Sequence, residues 1–293
     1  MTGRPLEITN IQEEITGDTN FILIDREDLM KSAFEEIGSL TNLRLPLEVN
    51  FVGEAANDYG GPRKEFLRLV LINIKEKYFD AGLIEDLAED YVTCGVIMGL
   101  SVLQNGRLPQ FLQEQVFHDL VNNPKVSACL VNLRKGLCKT GVYQVMVKLP
   151  LFQYLFRPSD NGKLSVKKLV HLLTPNFAEE GTNLRKHQKD VYNAWSKYIK
   201  EVQSGRRELG LVTLTLGHIL QFVCGTDEEP VLGFALHPEI IFRGCDQSFL
   251  PTANTCICRL CLPCPSSTVS LPTEAELFKL YDYAFGSSYF GVL

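Results

Sequence analysis

No run of apolar residues in the 293-residue chain approaches the ~20 needed to span a bilayer. The longest, from Leu209 to Gly225, is broken by Gly217, His218 and Gln221. Met1 to Glu14 carries charge early and has no apolar core, so no signal peptide is read there. Positive charge is not in excess. Lys and Arg number 29 against 35 Asp and Glu, a net charge of −6, which excludes a general nucleic-acid binder. No phosphate-cradling glycine loop is present, and no internal repeat. What is present is ordinary globular material: 45% hydrophobic, 22% charged and 10% aromatic, which rules out a mostly disordered or fibrous chain. The length favours two structural units. Nine cysteines, an odd count without a secretion signal, favour a reducing compartment, so cytoplasm or nucleus is expected.

The expected class is α+β. Residues 1–44 read as peripheral, with a short helix over Asp25 to Ser39. Leu47, Val49 and Phe51 alternate with polar residues to make a strand. A helix starts at Pro62, where the missing N–H costs nothing, and Phe66, Val70 and Ile74 mark its stripe. Further helices are expected over Ile84 to Asn105, Gln110 to Val121 and Lys163 to Leu173, with Asn122 to Phe156 ambiguous. A long amphipathic helix covers Asn183 to Gln203; its lysines read as a solvated face rather than a nucleic-acid or membrane contact. Ser204 to Gly210 has glycines and charges typical of an exposed hinge. A first unit over 45–204, a hinge at 205–210 and a small α+β unit over 211–293 follow. In the last, a helix ends at Gly225, strands are expected near Phe234, at Ile240 to Phe242 and at Cys256 to Leu262, and a final helix opens at Thr273 with Glu276 three residues on.

Four cysteines fall between Cys256 and Cys264. Soft thiolates in a cluster suggest zinc or an iron–sulfur centre. The spacing lacks two separated CxxC knuckles, and alternation along a strand would point Cys256 and Cys258 away from Cys261. The favoured reading makes Cys258, Cys261 and Cys264 small core residues. Cys256 differs, because the polar loop Leu250 to Thr255 leads into it; a thiol at such a junction is exposed and held by the strand behind it. Thr255 supplies a neighbouring hydroxyl, and Arg259 would favour a thiolate if it reaches.

The segment Leu250-Pro251-x-Ala253-x-Thr255-Cys256, followed by Leu260-x-Leu262-Pro263, resembles the active-site segment of HECT-type ubiquitin ligases. Leu220 to Asp227, with Pro230 and Gly233-Phe234, is similar to the start of that family's C-lobe, and Phe290 to Leu293 to its tail. Phe51 to Glu54, Asp58 and Gly60 to Phe66 resemble an N-lobe hallmark, and Tyr154 to Pro158 a later N-lobe segment. The subgroup resembled is that of the G2/M-phase-specific E3 ubiquitin ligase. The resemblance implies a bilobed fold, a mostly helical N-lobe and a small α+β C-lobe, and a two-step reaction. Cys256 would take ubiquitin from a conjugating enzyme (E2) as a thioester and pass it to a lysine of a substrate protein. Thr255 would position the thiol, and Phe290 would orient the C-lobe for transfer. Gly53, Glu54, Gly60 and Gly61 read as a scaffold turn. The implied partners are ubiquitin, an E2 and a substrate protein, with no cofactor, nucleic acid or membrane. Departures from the family pattern are Asn254 where many members have His, Ile257-Cys258 where Phe-Asn is common, and a shortened segment between Gly106 and Tyr154, where the E2-docking subdomain belongs. They keep open an inactive HECT-like module that binds ubiquitin or a partner.

Overall fold

The computed structural model describes residues 17–54, 61–158, 164–230, 232–245, 248–266 and 269–287. Strand β1 (Asn20–Ile24) buries Ile22 and Ile24 and exposes Phe21 and Leu23. Helix α1 (Leu29–Ser39) carries the chain across to β2 (Leu47–Phe51), which pairs parallel to β1 from Asn20↔Leu47 to Ile24↔Phe51. Parallel strands need such a crossover. The inward residues of β2 are the expected Leu47, Val49 and Phe51.

Helix α2 (Gly61–Tyr78) begins as expected, with Pro62 second. A 3-10 turn (Glu85–Leu87) precedes α3 (Asp90–Leu103). The stretch that sequence periodicity left ambiguous is helical. After α4 (Glu114–Asn122), it holds α5 (Ala128–Lys139), α6 (Val142–Lys148) and a 3-10 segment (Pro150–Leu155). Helices α3 and α5 cross where glycines meet: a Cβ on Gly136 would lie 2.0 Å from the Val92 carbonyl oxygen, and one on Gly95 2.5 Å from that of Leu133. These elements share one buried core, from Ile22 to Phe156.

A second core runs from Leu169 to Phe285. It is built from α7 (Val166–Leu172), β3 (Thr174–Pro175), α8 (Asn183–Gln203), β4 (Glu208–Leu209), β5 (Val212–Thr213), α9 (Leu216–Cys224), β6 (Glu239–Gly244), β7 (Thr252–Asn254), β8 (Arg259–Cys264) and α10 (Glu274–Gly286). The four-stranded sheet has the order β3-β6-β8-β7, with β8 parallel to β6 and antiparallel to β7. Thr273 and Glu276 make the expected capping box, and Gly225 ends α9 at φ +72°.

The chain is mixed α+β, as expected. Three details differ from the sequence reading. The stripe of α8 (Val191, Trp195, Ile199, Val202) packs into the second core, although the helix precedes the expected hinge. Within 205–210, Gly205 and Gly210 are left-handed, the β4–β5 pair begins, and Arg207 binds Asp282 of α10 and Glu201 of α8. Phe234 lies in a loop, not a strand. Among the described residues no helix is long and apolar enough to cross a membrane.

Candidate active site

Cys256 sits on a 3-10 turn (Thr255–Ile257) between β7 and β8, and its side chain is exposed. The strand expected at Cys256 starts only at Arg259. Two residues move it. Asn254 caps the turn, its Oδ1 accepting the Cys256 backbone N–H at 3.1 Å. Cys258 adopts φ +50°, in the left-handed region, and reverses the chain into β8. Exposure of Cys256 and burial of Cys258 therefore follow from a capped turn, not from alternation along a strand. Cys258 and Cys264 lie in the second core; Cys261 is buried as well. Among the described residues no three His, Cys, Asp or Glu side chains converge to hold a metal ion.

The first core supplies part of the site's floor. A Cβ on Gly61, at the start of α2, would come 3.1 Å from Thr255 Oγ1, and one on Gly225 would come 3.6 Å from the Gly61 carbonyl oxygen. Gly61, the first residue of α2, thus lies directly behind Thr255. Glu54 pairs with Arg26, which also binds Glu65 at 3.0 Å. Around the site, Arg107 Nη1 donates to Asp227 Oδ2 at 2.7 Å and Asn105 Nδ2 to the Gly233 carbonyl at 3.1 Å. The Leu108 N–H donates to Glu228 Oε1 at 3.3 Å, and the Lys64 ammonium lies 5.6 Å from the Phe234 ring centre. A cleft of about 1010 Å³ opens nearby, lined by residues such as Arg68, Arg107, His218 and Glu228; Cys256 is outside it. The thiol stands on open surface, where a protein-sized reactant has access.

Arg259, the first residue of β8, has a carboxylate partner of its own. Its guanidinium pairs with Glu239 at 2.5 Å across the β6–β8 register. Phe290 lies outside the described residues, as do Asp58 and Gly60. Sequence reasoning missed the cap by Asn254. Nor did spacing announce that Cys224, the last residue of α9, is buried in the same core as Cys258.

The site is an exposed, turn-mounted thiol at the edge of a mixed sheet, a geometry suited to covalent carriage of a large acyl group. The family model described as HECT-domain (ubiquitin-transferase) matches residues 164–272, a span that includes α7 through β8 with Thr255 and Cys256. The resemblance to HECT-type ubiquitin ligases is thereby shown, over that segment. Comparison with curated proteins gives no match.

Proposed function

We propose that this chain is a HECT-type ubiquitin transferase that accepts ubiquitin from an E2 as a thioester on Cys256. The observation that carries the reading is the exposed Cys256 on its capped turn, inside the HECT match. The Cys256 thiolate attacks the carbonyl of the E2-bound thioester, a new C–S bond forms, and the E2 thiolate leaves. The amine of a substrate lysine then attacks the new thioester; the C–N bond forms, Cys256 leaves as thiolate, and the amine sheds its proton. Sulfur suits both steps, as a strong nucleophile and a good leaving group. Thr255, backed by Gly61, positions the thiol, and Phe290 orients the second lobe for transfer. For the E2, the end of α6 and the following 3-10 segment offer Val147, Leu149, Leu151 and Tyr154, all exposed.

One observation favours a second reading, a HECT-like module that binds ubiquitin or a partner without being charged. Much of the segment from 122 to 156 is committed to the first core, with Leu130, Leu133, Leu137, Met146 and Phe156 buried. A shortened docking region would then leave the thiol without its donor. Incubation with ubiquitin, activating enzyme, ATP and a panel of E2s separates the two. A thiol-sensitive ubiquitin adduct on a non-reducing gel, absent as a thioester in Cys256→Ser, is the expected result. No adduct with any E2 favours the binding module.

A further inference from the structure

The transfer chemistry makes no use of the cleft of about 1010 Å³ beside α9. Its volume is that of a small-molecule site. Leu71, Ile72 and Phe111 face it from the first region, and Leu164, Leu214 and Leu216 from the second. Arg68 of α2 also lines it, although the residue is only 8% exposed. Its Nε is buried without a hydrogen-bond partner. The other Lys and Arg side chains of the cleft wall are matched: Arg107 pairs with Asp227 and Lys75 with Asp80, each at 2.7 Å. Asp227 and Glu65 act on Arg68 through space, and among the described residues it makes no ion pair. A buried, unmatched guanidinium is unfavourable until an anion reaches it.

The start of α9 adds donors to the same cleft, since residues 215–218 all line it. The Thr215 backbone N–H donates to His218 Nδ1 at 2.9 Å. A ring nitrogen that accepts a hydrogen bond carries no proton, so neutral His218 holds its proton on Nε2 and donates from there. Burial lowers the pKa of His218, with Asp227 opposing and the Arg68 charge reinforcing, so the ring stays neutral. The first N–H groups of a helix have no partner within it, and its positive end favours an anion. The carboxylates in the wall are occupied. Asp227 takes Arg107, and Glu228 accepts the Leu108 N–H at 3.3 Å. One uncompensated positive charge is left among apolar walls.

We propose that this cleft binds one carboxylate carried on an apolar body. The carboxylate oxygens accept from the Arg68 guanidinium and from His218 Nε2–H at the start of α9, and the body lies between the apolar side chains of the two regions. A single carboxylate matches the single unpaired cation, whereas a phosphate dianion would bring excess charge against Asp227 and Glu228.

The test titrates the full chain calorimetrically with octanoate and with 1-octanol, its uncharged counterpart. N-acetyl-leucyl-leucine and its C-terminal amide run beside them, to tell a free acid from the end of a peptide chain. Each acid that occupies the cleft is expected to bind about tenfold more tightly than its neutral counterpart, the effect of one charge-assisted pair. Arg68→Met is expected to erase that preference without lowering the melting temperature, because the guanidinium pairs with nothing in the fold. Gln221→Glu sets a carboxylate into the cleft wall one turn along α9 from His218, and is expected to erase the preference independently. A dipeptide acid that outbinds octanoate and depends on Arg68 supports the site and names a chain terminus as its source; the reverse order names a free acid. Equal binding of acid and neutral counterpart, no binding of either acid, or a preference that survives both substitutions overturns the proposal. No ubiquitin enters the experiment, so its outcome is independent of the transferase reading.

Discussion

The two cores differ in what they are made of and in what they do. The first is mostly helical, closed by glycine contacts between α3 and α5, with a run of ring contacts from Phe34 through Tyr78, Tyr91 and Phe79 to Phe111, around one small parallel strand pair. The second is a sheet covered by helices, with an aromatic cluster of Tyr198, Phe278, Tyr281 and Phe285 and a charged bond beneath it: Arg207 Nε donates to Asp282 Oδ1 at 3.1 Å, and so does the Tyr198 hydroxyl, at 3.1 Å. The HECT match lies wholly in the region of the second core, and so does Cys256. The first core contributes seats rather than chemistry: Gly61 under Thr255, Asn105 and Arg107 against the loop after α9. The small turn that carries Cys256 is thus backed by a separate region.

The comparison is broken most severely at the thiol. Under the transferase reading, Cys256→Ala removes charging entirely while leaving the melting temperature unchanged, because the side chain is exposed. In the first core, Gly136→Ala forces a Cβ onto the Val92 carbonyl and is expected to cost about 3 kcal/mol. If the first core only seats the site, that loss lowers stability without abolishing thiol reactivity at temperatures where the chain is folded. Alkylation kinetics of Cys256 check it. Asp282→Ala leaves the half-buried Arg207 guanidinium with Glu201 alone and the buried Tyr198 hydroxyl without its acceptor, and is expected to cost about 2 kcal/mol in chemical denaturation.

Smaller effects sharpen the contrast. Asn254→Ala removes the cap on the Cys256 N–H, worth about 1 kcal/mol, and slows charging by about fivefold with little change in global stability. Glu228, which receives the Leu108 N–H of the first region, has its carboxyl pushed up by burial. A raised folded-state value means that its contribution is fully present below the ordinary carboxylate range and is lost as pH rises through the raised value. Glu228→Gln is therefore expected to flatten the loss of stability on going from acidic to neutral pH, read as melting temperature against pH.

Much of the scaffold was legible in the residues. The alternation of β2, Pro62 at the start of α2, the Thr273–Glu276 box and the stop at Gly225 are local signals with local causes, and each reappears in the fold. What a helix packs on is not local. The stripe of α8 predicts burial but does not name the partner, so the helix was grouped with the first unit although it completes the second core. The cap on α9 escaped notice because its box uses His218 in place of the usual Glu or Gln. At the site, Cys256 and its exposure were readable from the polar loop before it. The turn itself was not, because Cys258 in a left-handed conformation breaks the strand inside an apolar run where hydrophobicity predicts continuity. The docking of α9 against that turn is likewise encoded in no spacing.

The central claim is that a capped turn singles out one cysteine of nine as the carrier. Digestion of the chain after single-turnover charging, under conditions that preserve thioesters, measures it directly by locating the ubiquitin C-terminus on a particular peptide. The account predicts attachment at Cys256 alone. Attachment at Cys138, which is also exposed, or at any other residue would contradict it.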